Sequence, residues 1–240
     1  MDRPPRPLPP IMSWSWQGRL LVFFLSATSI WCLLAEFYGL CSMQTFTLYV
    51  LIPATVALIA VAVADAARGD GRLWRAVVIG VIGGFIAAVA YDLFRLPFVV
   101  AAADGVGPQW LRLPLFKVFP RFGAMLLGQR FTAQQTDSQF SLTAHLLGWV
   151  YHLSNGVTLG VMYMALVGDA ARRSWLWAVA LAAGLELAML FTPYTGFFGI
   201  GLTARFVVVT LAAHIVFGIS LGWYAKLKAL RWPGPVVRPA

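Results

Sequence analysis

Apolar residues run through this chain in long blocks, separated by short polar or charged stretches. Six blocks are long enough to cross a bilayer, which takes about 20 mostly apolar residues in a helix. They cover residues 19–40, 46–64, 75–102, 141–167, 174–194 and 198–225. The pattern predicts an all-α, polytopic transmembrane helix bundle of about six spans. The third block holds Asp92, Arg95 and Pro97, so its last turns are expected to bend or to lie at the interface. Five spans plus a re-entrant third segment is the alternative count. A single transmembrane domain then occupies 19–225, between a Pro-rich tail at 1–18 and a basic tail at 226–240. The first block exceeds a secretory h-region and no small-x-small cleavage site follows it, so it reads as a span.

The connections agree with this division. Arg68, Arg72 and Arg75 precede the third helix, Arg172 and Arg173 separate the fourth from the fifth, and Lys226, Lys228 and Arg231 follow the sixth. The first-to-second and fifth-to-sixth turns carry no Lys or Arg. Positive loops at alternate positions predict that both termini are cytoplasmic, in the cell (inner) membrane for a bacterial source. Trp14, Trp16, Trp74, Trp175, Trp177, Trp223 and Trp232 fall near the predicted inner boundary, where aromatic anchors belong.

Composition narrows the class further. Hydrophobic residues make up 60% of the chain and charged residues 11%, where soluble domains have about 25% charged. The net charge of +9 invites a nucleic-acid reading. The clustering of the cations between apolar runs argues against it and for membrane lipid, whose anionic head groups attract such clusters. Cys32 and Cys41 on one helix would stand roughly 13 Å apart, too far for a disulfide.

Residues 103–140 form one long connection, predicted on the outer side. Its segment 110–122 interleaves aromatics with Arg112, Lys117 and Arg121, a mix suited to the head-group boundary. Pro114 and Pro120 argue against one continuous helix there. A lid or lipid-contact segment is one expectation; a surface loop packed over the bundle is the other. Residues 129–139 are polar and aperiodic, a loop by composition.

Ionisable side chains inside spans cost roughly 2.5–3.5 kcal/mol on insertion scales and therefore turn inward. Here they are Glu36, Asp92, Arg95, His145, His152, Glu186, Arg205 and His214. Counting residues along each predicted span puts most of them in the outer half. His145, Gly148, His152, Asn155 and Gly156 recur at spacings of three and four and share one stripe, as do Thr210, His214 and Gly218. His145 and His152 are two turns apart, roughly 10.5 Å. Asp92 and Arg95, at i and i+3, read as a neutralised pair within their helix. Glu36 is expected to meet water or a cation on the external loop. Arg205, nine residues from His214, falls on the opposite helix face and belongs to a different site. Glu186 has no local partner and must be protonated, paired or ligated.

Three chemistries suit this set. The first is an outward-facing metal site, with His145, His152, His214 and Glu186 as ligands of zinc, iron or copper. A metal-activated water would then attack a lipid-like substrate, with Glu186 and Asp92 in acid–base roles. No H-E-x-x-H or cysteine ligand set supports it. The second is a transporter or proton relay, which with so few helices requires a homo-oligomer or a larger membrane complex. The third is a haem-binding subunit with His152 and His214 as axial ligands; it ranks behind the metal site because two histidines are its whole support. The bland alternative is interhelical hydrogen-bond glue, worth about 0.6 kcal/mol per contact. No P-loop, dinucleotide fingerprint or nucleophile elbow is present.

Overall fold

The computed structural model describes residues 16–67, 71–105 and 107–232. Trp14, Arg68, nearly all of the Pro-rich tail and the end of the basic tail lie outside the described residues. Among the described residues the chain consists of helices and turns: α1 Trp16–Phe37, α2 Met43–Ala67, α3 Arg72–Asp104, α4 Val118–Leu126, α5 Leu142–Val167, α6 Leu176–Leu190, α7 Tyr194–Phe197 and α8 Ala204–Arg231. Five of these, α1, α2, α3, α5 and α8, are long and apolar enough to cross a membrane. The fold is therefore an all-α bundle of membrane-spanning length, as the hydrophobic blocks predict.

The count of five arises from a different helix than expected. Here α3 runs unbroken for 33 residues with Pro97 inside it, so no re-entrant turn forms at Asp92–Pro97. The short member is α6, whose 15 residues rise roughly 22 Å. It stops before Pro193, whose ring disfavours helical geometry in the preceding residue. Pro193 instead stands at the N-cap of α7.

Polar caps mark the helix starts. Ser141 accepts from the Ala144 N–H and Thr203 from the Phe206 N–H, each at 3.2 Å. Asp65 accepts from the N–H groups of Leu73 and Trp74 at 2.8 and 3.2 Å, holding the start of α3. Glu36 is half-buried and turns toward the chain. Its carboxylate accepts the Met43 N–H at the start of α2, because that N–H has no partner within its own helix.

Glycines set the helix contacts. A Cβ on Gly84 would lie 2.2 Å from the Gly156 carbonyl oxygen, and one on Gly160 would lie 2.0 Å from that of Gly80. Thus α3 and α5 touch backbone to backbone. The outer connection is also more ordered than its two prolines suggest. Pro120 falls in the first turn of α4, where a missing N–H costs nothing. From Val118 to Met125 every residue of α4 is buried. The helix is wedged into the bundle against α5 rather than spread on the head groups. Arg121, 2% exposed, fixes it by donating to the carbonyls of Lys117 and Gln135, with Asp137 at 3.2 Å.

Candidate functional site

Helices α1, α3, α5, α6 and α8, with the short α4 and α7, line a cavity of about 170 Å³. Its polar wall is Tyr91 and Arg95 of α3, His152 and Asn155 of α5, Glu186 of α6, Tyr194 of α7 and His214 of α8. Its remaining wall is apolar, with Ile30, Leu33, Leu159 and Phe217 among the lining residues. His152 follows the first residue of α5, and His214 the first residue of α8, by ten positions. That is roughly 15 Å of rise, so both imidazoles sit deep in the bundle.

Each of these histidines meets a carboxylate from a different helix. His152 Nε2 lies 3.0 and 2.9 Å from the two Asp92 oxygens. Its ring stacks on Phe119 of α4 at 4.3 Å and 28°, which fixes the ring plane. His214 Nδ1 lies 2.9 Å from the Thr210 carbonyl oxygen and 3.5 Å from Glu186 Oε2. A carbonyl only accepts, so Nδ1 carries the proton and Nε2 is the basic nitrogen when the ring is neutral. Tyr91 stands between the two histidines, its ring 5.8 Å from that of His152 and 4.9 Å from that of His214.

Arg95 closes the end of this cavity nearest the 103–140 connection, called the outer end after the expected orientation. It is 4% exposed, and its guanidinium carbon is 4.6, 5.1 and 5.6 Å from the ring centres of Tyr91, Phe116 and Phe119. It donates to the Leu115 carbonyl and lies 3.4 Å from Asp92. The Asp92–Arg95 pair is thus not an isolated interfacial pair. It is buried, and Asp92 divides its charge between Arg95 and His152.

Beyond Arg95 lies a second cavity, of about 310 Å³, which shares Tyr91, Arg95, Glu186 and Tyr194 with the first. Lys117 and Arg205 line it as well. Lys117 donates to the Gly199 carbonyl at 3.2 Å, and Arg205 to the carbonyls of Gln109 and Arg112. Burial, and then the like charge of Arg121, push the Lys117 ammonium pKa below its usual range.

The sequence-derived set divides. His152, His214 and Glu186 line one cavity, and Asp92 reaches it through His152. His145 does not join them: its Nε2 lies 3.0 Å from the Asp137 carbonyl oxygen, at the exposed edge of the outer connection. Two turns of helix separate it from His152, and no bend brings it back. Among the described residues no group of three or more His, Cys, Asp or Glu side chains could hold a metal ion. The four residues set out as metal ligands are therefore not one coordination set in this structure. Sequence reasoning missed Tyr91, Tyr194, Phe119 and Lys117 as parts of the site. Two signals were available: Tyr91 and Arg95 stand at i, i+4 on one helix face, and segment 110–122, which holds Lys117 and Phe119, interleaves aromatics with cations. Arg205 reaches the outer cavity and not His214, as the helical wheel requires. Neither family models, nor characterised proteins, nor solved structures match this chain, so its site rests on its own geometry.

Proposed function

We propose that this protein is a multi-pass membrane enzyme that performs acid–base chemistry on a lipid-like substrate within the bundle. One observation carries the reading. Two His–carboxylate pairs, built from four helices, flank a single cavity with a tyrosine between them. A carboxylate on one ring nitrogen orients the imidazole and stabilises its protonated form, which leaves the other nitrogen to exchange protons with a reactant. His214, with Nε2 unprotonated, is the general base. His152, oriented by Asp92, is the partner acid. Glu186 and Asp92 position these two rings and balance their charge. The apolar wall of Ile30, Leu33, Leu159 and Phe217 favours an acyl or isoprenoid chain over a water-soluble reactant.

Topology supports the same reading. Arg19 at the start of α1 donates to the Ala165 and Leu166 carbonyls at the end of α5, so these two ends lie on one face with Arg172 and Arg173 close by in sequence. The positive-inside rule makes that face, and both termini, cytoplasmic. The outer cavity then opens to the non-cytoplasmic side.

The test is turnover of a membrane lipid extract by the purified, reconstituted protein, followed by mass spectrometry. His214→Gln and Glu186→Gln are expected to lower the rate about 10²- to 10⁴-fold, as for loss of a general base or of the group that orients it. His145→Ala is expected to retain it. Unchanged lipids together with a proton flux that His214→Gln abolishes would replace the enzyme with a proton path. Stoichiometric zinc, iron or copper lost in both variants, or a haem spectrum, would move the chemistry to a bound metal centre.

A further inference from the structure

The charges on the wall of the outer cavity are unbalanced. Arg95, Lys117 and Arg205 line it together with one carboxylate, Glu186, while Asp92 faces Arg95 at 3.4 Å from outside that wall. That carboxylate is already shared with His214. The partners of Lys117 and Arg205 are neutral backbone carbonyls: Gly199 for the lysine, Gln109 and Arg112 for the arginine. Such contacts fix the side chains in place without neutralising them, and Asp137 acts on Lys117 less strongly than the like charge of Arg121 does. Arg95 adds an independent sign. It is 96% buried by its 4% exposure, and its Nε has no hydrogen-bond partner. A buried donor left unpaired costs about 1–3 kcal/mol, so the protein around Arg95 does not saturate its guanidinium.

We propose that this outer cavity seats a phosphate group. Three cations enter from three separate parts of the chain: α3, the stretch just before α4, and the start of α8. A tetrahedral dianion presents oxygens in enough directions to meet all three, which a planar monocarboxylate does not. Guanidinium groups pair with phosphate oxygens through parallel N–H donors, and an ammonium serves as a point charge beside them. The same phosphate chemistry belongs to a lipid head group and to the free ion. The shared wall of Tyr91, Arg95, Glu186 and Tyr194 lets a chain attached to the phosphate continue into the apolar inner cavity, beside the histidine pairs. The seat therefore deepens the acid–base reading by naming its substrate as a phosphate-bearing amphiphile, and on that point it rests on that reading.

The experiment is calorimetric titration of the full-length protein in neutral detergent with dodecyl phosphate, dodecanol and inorganic phosphate. Dodecyl phosphate is expected to bind saturably, and the Lys117→Gln/Arg205→Gln double variant to bind it at least roughly tenfold more weakly. The charge-conserving Lys117→Arg/Arg205→Lys variant should retain binding, which separates lost charge from lost folding. Glu186→Gln should bind equally or more tightly, because it removes the one negative charge from the wall. A clear preference for dodecyl phosphate over inorganic phosphate assigns the seat to a lipid. Equal affinity, lost in the same double variant, assigns it to the free ion and keeps the seat. Dodecanol binding as well as dodecyl phosphate would overturn the proposal, and so would a double variant that binds like wild type. The titration is repeated in His214→Gln: binding does not depend on turnover, so failure of the acid–base reading leaves it intact.

Discussion

At the scale of single residues, Asp92 has the most consequences. It faces Arg95 at 3.4 Å along its own helix and His152 at 2.9 Å across to α5, and its side chain is 13% exposed. Removing one partner from a buried charge cluster leaves the other charge uncompensated, which costs about 3–5 kcal/mol. Asp92→Asn keeps the shape and removes the charge. Its melting temperature in detergent should therefore fall clearly below wild type, while Asp92→Glu should recover part of the loss. An unchanged melting temperature in Asp92→Asn would mean that Arg95 does not rely on that carboxylate. The candidate residues themselves were legible in the sequence, since ionisable groups inside apolar runs stand out. Their partners were not, because a helix register reports which residues share a face and says nothing of which neighbouring helix that face meets.

At the scale of elements, the contact between α4 and α5 positions the chemistry. A Cβ on Gly148 would lie 1.7 Å from the Phe119 carbonyl oxygen, and one on Gly123 would lie 1.7 Å from that of Ala144. Two glycines on opposite partners thus let the helices touch, and that contact presses Phe119 onto the His152 ring. Gly148→Ala forces α4 away. It should cost about 1–3 kcal/mol, the usual range for overpacking, measured as a lower melting temperature. Turnover should fall further than the loss of folded protein explains, because the His152 ring loses its stacking surface. The hydrophobic pattern located the long helices to within about three residues at most ends, with α8 starting and ending six residues later than expected, but α4 was invisible to it. Nine residues with a proline in the third position read as a loop, and only burial against α5 makes them a helix worth forming.

At the scale of the whole molecule, the thiols report the topology. Cys32 is fully buried in α1, while Cys41 is partly exposed in the turn between α1 and α2. The proposed orientation, with both termini cytoplasmic, puts that turn outside. A membrane-impermeant maleimide applied to intact cells is then expected to label Cys41 and spare Cys32, and Cys41→Ser should abolish the signal. Labelling that requires broken cells would reverse the orientation. The end of the bundle that this orientation puts outside also holds the cation cluster and the long connection, so orientation decides which compartment supplies the proposed substrate.

The sequence by itself determined the helical, apolar class of this protein and the approximate course of its long helices, though not their number. Apolar length and the placement of cations are one-dimensional properties, and a bilayer reads them directly. Which ionisable groups meet was decided only by the tertiary structure. His145 and His152 share a stripe yet part company, whereas His214 and Glu186 lie on different helices and come together. Helix pairing follows from small residues allowing close backbone approach and from α4 wedging between neighbours. Those are properties of matched surfaces, which no single helix carries alone.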